Sequence, residues 1–116
     1  MGKLTTHVLD TAHGCPGKGI ALRLYRCGKK DALVLKAKTN ADGRCDVPLL
    51  MGKDFKAGKY RLEFDVAAYF KGKGAKLAKM PFLDTIVIHF GIADAGAHYH
   101  VPLLVSPYGY STYRGS

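Results

Sequence analysis

Residues 60–66 read Tyr-Arg-Leu-Glu-Phe-Asp-Val, an unbroken alternation of apolar and charged side chains. Successive side chains of a β-strand point to opposite faces, so Arg61, Glu63 and Asp65 fall on one side. Tyr60, Leu62, Phe64 and Val66 fall on the other. Similar runs recur along the chain with turn signals between them. Residues 4–10 mix β-branched and apolar side chains and end at a Gly/Pro cluster over 13–19. Residues 20–26 place Ile20, Leu22 and Leu24 in one set and leave Arg23 and Arg26 outside it, the pattern of a half-buried strand. Residues 33–39 repeat that pattern before Asn40-Ala41-Asp42-Gly43, where Asp-Gly supplies the positive φ of a tight turn. Residues 85–90 and 98–105 return to strand, and Pro102 predicts an edge position or a bulge in the latter. Lys71-Gly72-Lys73-Gly74 interrupts any regular element, and residues 75–79 predict at most a turn or two of helix before Pro81.

About seven or eight short strands with frequent turns and at most one brief helix predict an all-β sandwich. The 116 residues give room for one domain, 1–116. A chain of that size buries roughly two-thirds of its unfolded surface, and its 47% hydrophobic content excludes a disordered tail. No apolar stretch approaches the ~18 residues of a membrane span. The first residues lack the apolar core of a secretory signal, which predicts a cytoplasmic protein. Cys15, Cys27 and Cys45 are odd in number and lack C-x-x-C spacing, so they read as inert thiols.

Eighteen Lys/Arg against nine Asp/Glu leave a formal charge of +9. That balance suits a solvated basic surface, a small anionic ligand, a membrane surface or nucleic acid. The lysines are scattered, and no nucleic-acid reader motif appears, so neither nucleic acid nor membrane is expected as a partner.

The polar residues that stand out are His7 inside an apolar and Thr-rich strand, Arg44 just after Asp42-Gly43, and the pair His98 and His100. At i, i+2 on a strand, His98 and His100 would face the same side. Imidazole pairs bind metals, but a zinc site needs a third ligand, and no spacing rule supplies one. General acid–base work is the alternative, and no metal or cofactor is expected. Ser111 and Ser116 lack the Gly-x-Ser-x-Gly context of a serine nucleophile. The last nine residues hold Tyr108, Tyr110, Tyr113 and Arg114, an unusual load for a chain end. They predict a final strand, with Tyr113 and Arg114 lining or ordering a site.

Residues 4–10 with Gly14-Cys15-Pro16 resemble the N-terminal signature of the 5-hydroxyisourate hydrolases, a transthyretin-like family. Thr39 with Asp42-Gly43-Arg44 is similar to their central motif, and residues 98–104 through 106–112 are similar to their last block. The final Tyr113-Arg114-Gly115-Ser116 resembles the tetrapeptide that separates these enzymes from transthyretin, the hormone carrier. One segment departs from the pattern: Lys79-Met80-Pro81-Phe82-Leu83-Asp84 stands where the family commonly has aromatic-Pro-Glu.

The resemblance implies a prealbumin-like sandwich of two four-stranded sheets with one short helix. It also implies a homotetramer with active sites at the dimer–dimer interface and a small-molecule substrate, 5-hydroxyisourate. The implied reaction is hydrolysis of the N1–C6 amide to 2-oxo-4-hydroxy-4-carboxy-5-ureidoimidazoline. By the same resemblance His7, Arg44, His100 and Ser116 are catalytic. Tyr113, His98 and Arg114 join His7 and Arg44 in binding substrate. A transthyretin-like binding protein that does not consume its ligand is the alternative, and the polar His/Arg set speaks against it.

Overall fold

The computed structural model describes residues 2–116. Its elements in chain order are β1 (Lys3–Asp10), β2 (Cys15–Pro16), β3 (Ala21–Cys27), β4 (Ala32–Lys38), β5 (Leu50–Met51), β6 (Gly58–Asp65), α1 (Val66–Gly72), β7 (Thr85–Ile92), β8 (Tyr99–Ser106) and β9 (Gly109–Thr112). A short 3-10 turn covers Gly52–Asp54.

The strands form two sheets. One runs β2-β1-β8-β9 with β5 added against β1, and the other runs β4-β3-β6-β7. The first therefore has five strands rather than the expected four, the addition being the two-residue β5. Strands β1 and β8 are parallel, with Thr5 beside His100 and His7 beside Pro102. Parallel neighbours cannot be joined by a hairpin. Here the entire second sheet lies between them in sequence, so residues ninety-odd positions apart become lateral neighbours.

Alternation decides which side chains go inside. Leu4 and Val8 of β1 and Leu103 and Val105 of β8 join one core with Leu22, Leu24, Leu62 and Phe64 of the other sheet. Fully burying each such side chain is worth roughly 1.5–3 kcal/mol. A one-residue slip would turn the whole set outward, so register is firmly specified. The same rule puts Thr5, His7 and His100 on the outer face of the first sheet.

Three local expectations are corrected. Strand β4 is half-buried only from Leu35 onward, where Leu35 and Ala37 pack against the core; Leu33 and Val34 are 48% and 41% exposed because β4 is the outermost strand of its sheet. Lys36 and Lys38 on it discourage edge-to-edge pairing. The helix lies at Val66–Gly72, not at 75–79. Val66, Ala67, Tyr69 and Phe70 form its buried stripe, and Gly74, at φ +81°, follows its end. Ala75 and Leu77 instead alternate against the core from an irregular segment. Pro102, finally, sits in an interior strand between β1 and β9. The ladder tolerates it because β9 stops at Thr112, whose hydroxyl donates to the Pro102 carbonyl at 2.7 Å, before pairing resumes at His100 and Gly115.

Candidate active site

The turn between β4 and β5 delivers Arg44 to β1. Thr39 is buried, donating its hydroxyl to the Gly17 carbonyl at 2.6 Å and accepting from the Ile20 N–H at 2.8 Å. Asn40 then closes the turn, its side-chain oxygen accepting from the N–H groups of Asp42 and Arg44. Gly43 has φ +76°, and its carbonyl accepts from the Val8 N–H at 2.8 Å. A Cβ at Gly43 would lie 2.3 Å from the Val8 carbonyl oxygen, so only glycine permits so close an approach. The next residue, Arg44, bridges to His7. The Thr-x-x-Asp-Gly-Arg pattern is thus a device for making Arg44 the backbone partner of His7 at the cleft.

The tail delivers a second support. The Gly115 N–H donates to the His100 carbonyl at 2.7 Å, and the His100 N–H donates to the Gly115 carbonyl at 3.2 Å. A Cβ on Gly115 would come within 2.9 Å of the imidazole Cδ2. On the other side, Thr5 Oγ1 is hydrogen-bonded to His100 Nδ1 at 2.8 Å. The His100 ring is therefore held by its backbone, by a strand neighbour and by the tail.

These parts enclose a cleft of about 370 Å³ lined by Lys3, Thr5, Arg44, Cys45, His100 and Ser116, among others. The His7 and His100 ring centroids are 6.5 Å apart, with planes tilted by 42°. Two hydrogen bonds of ~2.8 Å through one water span a gap of that order between ring nitrogens. Burial lowers the His100 pKa below the ordinary histidine value, and the nearby charge of Arg44 and of His7 lowers it further. His100 is accordingly neutral at pH 7. Among the described residues no carboxylate pairs with Arg44, so its fork of donors is free for a ligand. The Cys45 thiol in the wall is pushed up by burial and by Asp46, which keeps it protonated.

The structure thus brings together His7, Arg44, His100 and Ser116. It does not bring in His98, which precedes β8 and is exposed. The anticipated same-strand pairing of His98 with His100 is absent, and among the described residues no group of three or more His, Cys, Asp or Glu is placed to hold a metal. Tyr113, 60% exposed, and Arg114 line a different crevice, against Ile88 and Phe90. Arg114 anchors the tail: its guanidinium lies 4.1 Å over the Tyr99 ring and donates to the His98 carbonyl at 3.2 Å. Lys3 and Thr5 are site residues that sequence reading passed over. Their signal was available, since positions 3, 5 and 7 share one face of β1. A larger cleft of about 480 Å³, beside α1 and lined by Lys18, Lys38 and Lys73, lacks any comparable acid–base set.

Two imidazoles and an unpaired guanidinium on the outer face of a prealbumin-like sandwich are the equipment of an acid–base site. The chain belongs to the HIUase/Transthyretin family, whose model matches residues 4–115. It is 57% identical to the 5-hydroxyisourate hydrolase of Pseudomonas aeruginosa, covering 100% of this chain and 93% of that protein. Among solved structures, it matches 5-hydroxyisourate hydrolase from Klebsiella pneumoniae with a TM-score of 0.82 at 34% identity, each chain fully covered. It also matches an (S)-allantoin synthase with a TM-score of 0.96 at 48% identity. That match covers 99% of this chain but 44% of the other, so the present chain spans less than half of the synthase's length.

Proposed function

We propose that this protein hydrolyses 5-hydroxyisourate at its N1–C6 amide, giving 2-oxo-4-hydroxy-4-carboxy-5-ureidoimidazoline. The observation that carries the reading is that Arg44 and His100, remote in sequence, line one open cleft, with His7 beside them as the bridge partner of Arg44 and 6.5 Å from the His100 ring. The names of relatives aligned over the whole of this chain, at 57% and 34% identity, support the substrate.

In this mechanism His7 and His100 hold a water between them, and one imidazole takes its proton as the oxygen attacks C6. Arg44 binds the purine oxygens and stabilises the negative charge that develops on the carbonyl oxygen. The C6–N1 bond then breaks with N1 as the leaving group, N1 takes the proton from the imidazolium, and the ring-opened product keeps the new carboxyl group, whose remaining proton passes to solvent. Ser116 orders the polar network at the rim. His98 and Tyr113 are proposed to contact substrate in the assembled protein, and Arg114 contributes by fixing the tail.

The assembly proposed is a homotetramer with its sites at the dimer–dimer interface. Tyr108, Tyr110 and Tyr113 are exposed on and around β9, and β7 and β9 end their sheets without a partner. Among the described residues no helix is long and apolar enough to cross a membrane. A cytoplasmic location is proposed from the three free thiols, which suit a reducing compartment. The test is spectroscopic: 5-hydroxyisourate is generated in place from urate, and its decay and the product formed are followed with and without the protein. Faster decay to the ring-opened carboxylate is expected. Decay at the spontaneous rate contradicts the reading.

A further inference from the structure

We propose that Thr5 is a positioning residue that fixes the tautomer of His100, accepting the Nδ1–H through Oγ1 and leaving Nε2 with a free lone pair for the cleft. The inference rests on the proposed role of His100 and deepens it. Three observations carry it. Thr5 and His100 are direct partners in the parallel β1–β8 register, and Oγ1 lies 2.8 Å from Nδ1. The two strands are tied on the inner face as well, where the Thr6 hydroxyl donates to the Val101 carbonyl at 2.7 Å, so the Thr5–His100 distance is set by the sheet. Gly115 packs so closely on His100 that a Cβ there would lie 2.9 Å from the imidazole Cδ2, and its backbone pairs with that of His100, which confines the ring beside Thr5.

The direction of the bond follows from the charges around the ring. Arg44 from the 39–44 turn and Lys3 from β1 are cations at the cleft wall, and the other titratable groups near the ring are the protonated Cys45 thiol and the His7 imidazole, so no side-chain anion lines the cleft. An N–H on the nitrogen left for the cleft would set a positive dipole end against these groups, whereas a lone pair is stabilised by them. With Nδ1–H spent on Thr5, the neutral ring presents a proton acceptor to a bound water. A neutral imidazole in the wrong tautomer is a donor there and cannot take that proton.

The test compares Thr5→Val, which keeps the shape and removes the oxygen, with Thr5→Ser, which keeps the oxygen. Thr5→Val is expected to lower kcat by about tenfold or more, in line with other groups that orient a working imidazole, with KM changed less than about twofold. Thr5→Ser restores most of the rate. Because an N–H acceptor favours the imidazolium over the neutral ring, losing it moves the acidic limb of the kcat/KM profile of Thr5→Val to lower pH. Unchanged kcat in Thr5→Val, or failure of Thr5→Ser to restore it in a folded protein, overturns the proposal. So does an acidic limb that moves to higher pH, since Thr5 would then be the donor. His100→Ala run alongside separates the two readings. If His100→Ala is inactive while Thr5→Val is normal, only the role of Thr5 fails, and if His100→Ala is fully active the catalytic reading itself fails.

Discussion

Arg44 has two effects that can be measured apart. Its fork binds oxygens, and its charge depresses the pKa of His100, a ring already disfavoured as a cation by burial. Arg44→Ala loses both effects and is expected to lower kcat/KM by about 10²–10³-fold, the range seen when one oxyanion donor is removed. Arg44→Lys keeps the charge and loses the planar fork, so its rate falls between the two. The sign of the pH effect is fixed by the cause. Removing a positive neighbour makes the His100 imidazolium easier to form and raises its pKa, so the acidic limb of Arg44→Ala moves to higher pH, whereas Arg44→Lys leaves it nearly in place. Steady-state profiles of the three proteins check this, and superimposable profiles would show that Arg44 does not act on His100. At this scale much of the site was legible in the sequence. His7, Arg44 and His100 stand out as polar residues in apolar or turn settings. Thr5 was not, because a threonine in a strand is ordinary until the parallel pairing sets it beside His100.

Helix α1 depends on a buried carboxylate at the end of β1 remote from Lys3. Asp10 is fully buried in its side chain, accepting from the Tyr69 hydroxyl at 2.7 Å, from His13 Nδ1 at 2.7 Å and from the N–H groups of Ala12 and His13. Burial alone would raise its pKa, but the hydrogen bonds from Tyr69 and His13 outweigh that and hold it below the usual carboxylate value. Tyr69→Phe removes one bond to a charged group and is expected to cost about 1.5–3 kcal/mol, read as a lower urea midpoint. A carboxylate with a depressed folded pKa stabilises the protein above its unfolded value of about 3.9, and that contribution is lost as pH falls through the folded pKa. Tyr69→Phe should therefore differ most from the parent near neutrality and converge with it in acid. An unaltered midpoint at pH 7 would show that the hydroxyl does not hold the helix. The sequence was least legible here. Strand alternation runs on through Val66, masking the helix start, and a helix of seven residues has too few turns to show a period. The exposed start of β4, Leu33 and Val34, was missed for a related reason, since an apolar run does not say whether its strand is inside the sheet or at its edge.

As a whole, the molecule is a closed core with its chemistry outside it, on a sheet face that one chain leaves open. Exposed tyrosines around β9 and the outer strands β7 and β9 fit closed, symmetric association of identical chains. Light scattering in solution is expected to return four times the 12.6 kDa chain mass, and a monomer at assay concentrations would contradict the proposed interface sites. The excess of positive charge, +9 per chain, was plain from composition alone, whereas the placing of Lys3 and Arg44 in the wall of one cleft emerged only from the fold. The most direct test of the account is the turnover of freshly made 5-hydroxyisourate by the parent protein beside His7→Ala and His100→Ala, each shown to be folded. The parent is expected to outpace spontaneous decay, with each variant slower than the parent by at least about a hundredfold, as general acid–base residues contribute about 10²–10⁴-fold. Full turnover by either variant would contradict the claim that the two imidazoles and Arg44 act as one site.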